Sequence, residues 1–223
     1  MSELLIVTWD RTRVAALQSG SGDPPRLSAA WTAVWPEGMQ PLQNSAATGE
    51  WLRGQWSAAG LNASSVWVVV PREDVVLRHL ELPEAPDEEL PDLVRFQATR
   101  STVPIEQVCL DFLPLAPLPG RSGRDALAAT VPKASVQAIQ QVLDAADREL
   151  AGVTFSSHAL GEWGEHADRR RHHGGRSADS ASTMVITCDG SRLDLSVVSG
   201  RELTFAHAAR ITVDEGVDPT TAM

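Results

Sequence analysis

The sequence has few cysteines, few basic residues and no long apolar runs, the features that mark several common classes of protein. It contains two cysteines in 223 residues, Cys109 and Cys188, with neither metal-site spacing nor a motif around them. This scarcity excludes a disulfide framework and a cysteine-bound zinc site. We therefore expect each cysteine to be a buried, reduced thiol and the chain to be cytoplasmic.

Long apolar runs and basic residues are also scarce. The apolar stretch VWVVV at 66–70 is far shorter than the roughly 20 residues that a membrane helix needs. The start, MSELLIVTWDRTR, has no basic region like that of a signal peptide and predicts a core strand. Lys and Arg number 19 against 29 Asp and Glu, a formal charge of −10. We therefore expect no nucleic-acid partner, because phosphate binding needs concentrated basic residues, and no direct membrane insertion.

The sequence does contain enough apolar residues, 43%, to build a core. Its first part predicts three strands, a helix that Gly60 ends, and a fourth strand terminated by a proline. These segments are 4–10, 13–19, 26–35, 48–60 and 65–71. The order is therefore β-β-β-α-β.

The stretch LELPEAPDEELPDLVRFQATR at 80–100 has the prolines and acidic residues of a solvated linker. However, Leu90, Leu93, Val94 and Phe96 form a broad apolar stripe, so we predict a helix over 87–100 with Asp87 as its cap or, alternatively, a start at Pro91. Strands are predicted around this helix at 75–82, 108–115 and 125–132. A second helix is predicted after Ser135, with apolar positions Val136, Ile139, Leu143, Ala146 and Leu150. Together these segments predict an inserted β-α-β-β-α module.

An internal match relates the two ends of the chain. IVTWDRTR at 6–13 aligns without a gap to VITCDGSR at 185–192, and each is a strand, an Asp-containing turn and an Arg-led second strand. Three strands in hairpin order are predicted at the second copy. The fold class is therefore α/β, with an actin-like (ribonuclease-H-like) mixed-sheet unit, an inserted module and the first strands of a second unit.

The predicted boundaries follow from these patterns. Residues 1–71 form the N-terminal part of the first unit and 72–151 the inserted module. Residues 152–170 return to the first unit, with a short strand predicted at 152–157 and a helix at 158–170. Residues 171–182, with their arginine, histidine and glycine content, are predicted to be a flexible link. Residues 183–223 begin the second unit, which we expect to be truncated after three strands.

In the stretch VVLRHLELPEAPDEELPDLVRFQATRSTVPIEQVCLDF at 75–112, LELP ends a strand and VPIEQVCLDF returns as another. This stretch resembles the PilM family of type IV pilus assembly proteins, which is related to FtsA and to the cytoplasmic part of GspL. The resemblance continues through 126–153 and 182–211 and covers most of residues 1–211. It implies a cytoplasmic scaffold, peripheral to the inner membrane, that docks the N-terminal segment of a PilN-like or GspM-like membrane partner between the first unit and the inserted module. Self-association is a further option.

The resemblance also implies a nucleotide site between the two strand-1/strand-2 turns. Its candidate phosphate and Mg²⁺ residues are Asp10, Thr12, Asp189, Gly190 and Ser191. The first turn, WDRTR, departs from the family because no glycine follows the aspartate, and backbone N–H groups approach a phosphate less closely without one. The resemblance would also place the adenosine contacts beyond Met223. We therefore expect a degenerate site, no cofactor and no catalysis.

Three alternatives differ from this interpretation. The chain could be an ATP-binding, actin-like ATPase whose second half is missing, with ATP and Mg²⁺ as its ligands. A nuclease would need converging carboxylates, and Asp111 falls in the inserted module, away from Asp10. An FtsA-like tether would need an amphipathic C-terminal helix, which VDEGVDPTTAM is not.

The sequence shows no catalytic arrangement around its strand histidines. We predict structural roles for His79, His158 and His207, because each stands alone without a nearby nucleophile or carboxylate motif.

Overall fold

The computed structural model describes residues 3–20, 26–99, 104–116, 122–159, 182–189, 192–199 and 202–210. The chain forms two compact units, Met1–Ser156 and Ser157–Met223. The strand and helix order of the first unit agrees with the order predicted from the sequence.

The first unit is built on a five-stranded mixed sheet with the strand order β3-β2-β1-β4-β8. Its strands are β1 (Leu4–Trp9), β2 (Arg13–Gly20), β3 (Arg26–Val34), β4 (Ser65–Val70) and β8 (Glu149–Phe155). The first three form an antiparallel meander, and β1, β4 and β8 are parallel neighbours. Alternation along these strands sends one set of side chains, which includes Leu5, Val14 and Val68, into the core.

Two helices cover that face of the sheet. They are α1 (Ser45–Ala58) and α3 (Lys133–Ala145), and they pack against each other. Leu52 and Trp56 of α1 and Ile139 and Leu143 of α3 are fully buried in the same apolar cluster as the strands. At ~25 cal/mol per Å² of apolar surface, this burial is the main stabilising term for the unit.

The inserted module is a three-stranded antiparallel sheet with the order β5-β7-β6. Its elements are β5 (Val76–Leu82), α2 (Leu90–Ala98), β6 (Val108–Leu115) and β7 (Arg124–Pro132), followed by α3. One face packs on α2 through a second apolar cluster that includes Leu80, Leu90 and Val94. Leu77 and Val131 of the module pack against the main cluster. Helix α3 follows β7 directly and adds Ile139, Val142 and Leu143 to the same cluster, so it joins the module to the first sheet.

The end of α3 corrects the sequence-based helix. Asp147 has φ of 59°, Asp147 N–H donates to the Asp144 carbonyl, and Arg148 N–H donates to the Leu143 carbonyl at 2.9 Å. A left-handed residue with two such hydrogen bonds back to the last turn is a common way for a helix to end. Leu150, predicted as a helical position, therefore lies in β8, where its apolar side chain packs against the same core. At the end of α1, Gly60 has φ of 73° and confirms the predicted stop.

The described strands of the second unit form an antiparallel meander with the order β11-β10-β9. Its strands are β9 (Ser182–Asp189), β10 (Arg192–Ser199) and β11 (Glu202–Arg210), which confirms the three predicted strands. Most of the helix predicted at 158–170 and of the link predicted at 171–182 lies outside the described residues.

The environment of the cysteines corrects another expectation. Cys109 on β6 and Cys188 on β9 are both exposed, although we expected buried thiols. Each lies at a strand position where the alternation of side chains points to the more exposed face of its sheet. Among the described residues, no helix is long and apolar enough to cross a membrane.

Candidate functional site

The first candidate site is the turn that joins β1 to β2. The Asp10 carboxylate accepts three hydrogen bonds at Oδ1: from Thr12 N–H at 2.6 Å, from Thr12 Oγ1 at 2.8 Å and from Arg13 N–H at 2.9 Å. Asp10 N–H in turn donates to the Arg13 carbonyl at 2.9 Å. The structure thus brings Asp10 and Thr12 together in a closed turn. The Asp10 side chain stabilises this turn by accepting hydrogen bonds from the backbone two and three residues further along the chain.

A tryptophan cluster fixes this turn from the core side. Trp35 Nε1–H donates to the Asp10 carbonyl at 2.8 Å, and Trp35 N–H donates to the Thr12 carbonyl at 3.0 Å. The Trp35 ring lies 6.4 Å from Trp9 and 5.4 Å from Trp51, between ring centroids, and Trp51 lies 6.1 Å from Trp31. The sequence interpretation missed this role of Trp35. A signal for it is present in the sequence, because one tryptophan directly precedes Asp10 and another ends the predicted third strand.

The second candidate site follows β9. Asp189 is the last residue of that strand and pairs with Arg192, the first residue of β10, so the backbone there is a hairpin like the one at Asp10. Gly190 and Ser191 lie outside the described residues. The contribution of these three residues to a phosphate site therefore stays a prediction.

The other chemistry-bearing side chains that the structure describes do not form a further site. Among the residues that the structure describes, no three histidine, cysteine, aspartate or glutamate side chains are placed to hold a metal ion. His79 Nε2 lies 3.4 Å from Asp125 Oδ1, and His207 stacks on Phe205 with centroids 6.5 Å apart. Both contacts fit the structural roles predicted for these histidines. Asp111 lies on β6, in a different sheet from β1 and β2, the strands on either side of Asp10.

The third candidate site is the corner between β5 and α2. Residues Asp87–Glu89 form a single 3-10 turn, and α2 follows with Pro91 in its first turn, where a missing N–H is least harmful. The prediction that Asp87 caps the helix was wrong. Its Oδ1 instead accepts a charge-assisted bond from Arg124 at 2.7 Å, and the other Arg124 nitrogen donates to the Ala85 carbonyl at 3.2 Å. The corner is thus a folded element of the module and not a linker.

Comparison with known proteins places the fold. No family model and no curated protein matches the chain. Its structure is similar to a chain of a PilM–PilN type IV pilus biogenesis complex, with a TM-score of 0.77 and 21% identity over 93% of this chain and 61% of that one. It is also similar to the cytoplasmic domain of EpsL, an inner-membrane component of the type II secretion system of Vibrio cholerae. There the TM-score is 0.56, with 14% identity over 94% and 71% of the two chains.

A third solved structure names the fold class. It is a Bacteroides thetaiotaomicron protein of unknown function with an actin-like ATPase fold, which matches at a TM-score of 0.51 and 8% identity over 95% of this chain and 71% of that one. The likeness predicted from the sequence is therefore confirmed at the level of fold. The chain has part of an actin-like fold and spans about three fifths of the PilM–PilN complex chain that it matches.

Proposed function

We propose that this partial actin-like chain is a cytoplasmic scaffold of a type IV pilus or type II secretion assembly. In this role it docks the N-terminal segment of an inner-membrane partner, PilN-like or GspM-like, and remains peripheral to the membrane through that partner. The observation that carries the proposal is the likeness to the PilM–PilN complex chain, which extends over 93% of this chain and so includes the inserted module.

The way the module is attached supports a docking role. The module has its own sheet and its own small cluster, yet Leu77, Ala129 and Val131 pack against the main core. Its outer strands β5 and β6 are edges within the three-stranded sheet. Free strand edges and helix faces are the surfaces that extended peptides use, and a shared core holds them in a fixed position.

The first turn supports a scaffold that does no chemistry. Asp10 Oδ1 already accepts three hydrogen bonds from its own turn, and the exposed Arg11 occupies the position where a glycine would let a phosphate approach. The Trp35 contact fixes the same backbone. Binding a hydrated Mg²⁺ through Oδ1 would compete with those bonds, and a hydrogen bond to a charged group contributes about 1.5–3 kcal/mol.

Binding to synthetic N-terminal segments of inner-membrane pilus and secretion proteins encoded in the same genome tests the docking role. We expect one of these peptides to bind the full chain with a Kd in the micromolar range, about −8 kcal/mol, by fluorescence anisotropy. A scrambled peptide of the same composition is the control. Absence of binding to every segment would overturn the scaffold proposal.

The alternative function, an actin-like ATPase with ATP and Mg²⁺ as ligands, is supported by the fold. Calorimetric titration with Mg²⁺ and ATP separates it from the scaffold. We expect no binding heat. Micromolar binding that is lost in both Asp10→Ala and Asp189→Ala would establish the ATPase-type site and refute the degenerate one.

A further inference from the structure

Helix α2 carries a large apolar side chain on its solvent side. Leu90, Val94 and Ala98 form the buried stripe of the helix, and Val94 is fully buried. Phe96 lies two residues beyond Val94, which turns it about 200° around the helix axis. Its side chain is 66% exposed. The ring therefore lies on the face of the helix that points away from the core. Packing within the described part of the chain does not require a phenylalanine there.

Three exposed carboxylates precede this ring along the chain. Asp92 precedes Phe96 by four residues in α2, so it lies on the same face one turn earlier, and Glu89 lies in the 3-10 turn just before the helix. Glu88 flanks them, and all three side chains are exposed. None of the three forms an ion pair with another described residue. Arg95 is also exposed on α2, beside Phe96, so the three carboxylates and this one base leave a net negative charge next to the apolar ring.

The corner holds this surface rigidly. Arg124 bridges the Asp87 carboxylate and the Ala85 carbonyl across the turn that leads into α2. Pro83 and Pro86 restrict the backbone of the same turn, and Pro91 restricts the first turn of the helix. A surface that is ordered before binding loses little conformational entropy when a partner arrives.

We propose that the face formed by Phe96, Asp92, Glu89 and Glu88 docks a protein segment in which lysine or arginine residues flank an apolar side chain. The charge selects this occupant. Anionic lipid headgroups and nucleic acids are repelled by the same carboxylates, and a second copy of this face would place acids against acids. A basic segment gains attraction from the acids, and its apolar residue covers the ring. This face is a second partner site, on the module's outer helix, that goes beyond the docking of the inner-membrane partner's N-terminal segment.

The test uses three labelled synthetic peptides of equal length, built from Lys and Leu, from Lys and Ser, and from Glu and Leu. We expect the Lys–Leu peptide to bind the full chain most tightly, with an affinity that falls as salt rises. Phe96→Ser should weaken the affinity for the Lys–Leu peptide by about 10-fold or more, as expected for a central aromatic anchor, whereas Phe96→Leu should keep most of that affinity. Asp92→Asn combined with Glu89→Gln should weaken binding a few-fold and reduce its salt dependence.

Matched variants on other surfaces separate this face from general attraction to an acidic protein. Val34→Ser removes a 75% exposed valine from β3, and Glu106→Gln removes an exposed acid beyond α2. Both should bind like the unmodified chain. Because Phe96 is exposed, Phe96→Ser should leave the melting temperature unchanged. If it retains full affinity, or if the Lys–Ser peptide binds as tightly as the Lys–Leu peptide, the proposal is wrong.

The outcome is independent of the N-terminal segment experiment. An N-terminal segment that binds equally well to the chain and to Phe96→Ser supports the scaffold role without supporting this face. Lys–Leu binding that depends on Phe96, without any N-terminal segment binding, supports this face alone. A change in oligomeric state of Phe96→Ser in size-exclusion chromatography without peptide would identify a second copy as the occupant and overturn the basic-segment proposal.

Discussion

At the scale of single residues, Gln18 shows how one polar side chain holds distant parts of the chain. It lies on β2 and is only 6% exposed. Its Oε1 accepts hydrogen bonds from the backbone N–H groups of Asn62 at 2.7 Å and Ala63 at 3.1 Å, and its Nε2 donates to Glu3 at 3.3 Å. The loop between α1 and β4 is therefore tied to the first hairpin by an amide.

Gln18→Met should destabilise the fold. Methionine has a similar length but no acceptor, so the N–H of the buried Ala63 loses its partner, and the N–H of the exposed Asn62 must turn to water. An unsatisfied buried donor costs about 1–3 kcal/mol, and we expect a loss of that size in chemical denaturation. The exposed Gln43 provides the control: Gln43→Met should change stability by less than about 0.5 kcal/mol. Equal effects of the two substitutions would contradict this role for Gln18.

At the scale of elements, the crossing of α1 and α3 depends on a glycine. A Cβ atom placed on Gly49 would lie 2.2 Å from the Val142 carbonyl oxygen and 2.5 Å from Ala145 Cβ. These distances are far shorter than van der Waals contact, so the helices approach closely because Gly49 has no side chain. The same close approach sets the position of α3, which carries the module against the first sheet.

Gly49→Ala should therefore force the two helices apart. Overpacking of this kind costs about 1–3 kcal/mol or more, and it outweighs the roughly 1 kcal/mol that alanine gains over glycine in helix propensity. Thermal unfolding followed by circular dichroism measures the net loss. Gly54 lies in the same helix, and a Cβ atom placed on it would have no atom within 4 Å, so Gly54→Ala should instead raise stability by roughly 0.5–1 kcal/mol. A stabilising Gly49→Ala would rule out the close crossing.

At the scale of the whole molecule, the first unit contains both apolar clusters. Every buried member of the two clusters precedes Ser156, and the Arg72 N–H is bonded to Ser156 Oγ at 3.1 Å, at the end of that unit. A domain folds independently when its core is complete within its own residues. The first unit meets this condition within the described part of the chain.

A fragment of residues 1–156 should fold by itself and melt cooperatively, as monitored by circular dichroism and tryptophan fluorescence. The shorter fragment 1–132 is the matched control, because it lacks α3 and β8 and with them the buried Ile139, Val142 and Leu143. Losing three such side chains removes about 1.5–3 kcal/mol each, which exceeds the margin of a typical domain. A disordered 1–156 fragment would show that this unit needs the rest of the chain.

The candidate sites show where the sequence was sufficient and where it was not. Periodicity predicted the strands around Asp10 and the helix after the proline-rich corner, because each pattern repeats over neighbouring residues. It assigned Asp87 to a helix cap and Leu150 to a helix, and both assignments were wrong. The partner of Asp87 lies 37 residues away, and a left-handed Asp147 ended the helix before Leu150.

The sequence by itself determined the order of elements, the β-α-β-β-α module and the repeated strand–Asp–strand turn. These features follow from local alternation, helical spacing and turn chemistry, which short segments encode. Tertiary structure alone decided that Trp35 anchors the Asp10 turn, that Gln18 holds the loop before β4 and that Phe96 points to solvent. Such contacts depend on strand register and on which helix face meets the core, and both are set when distant segments pack together.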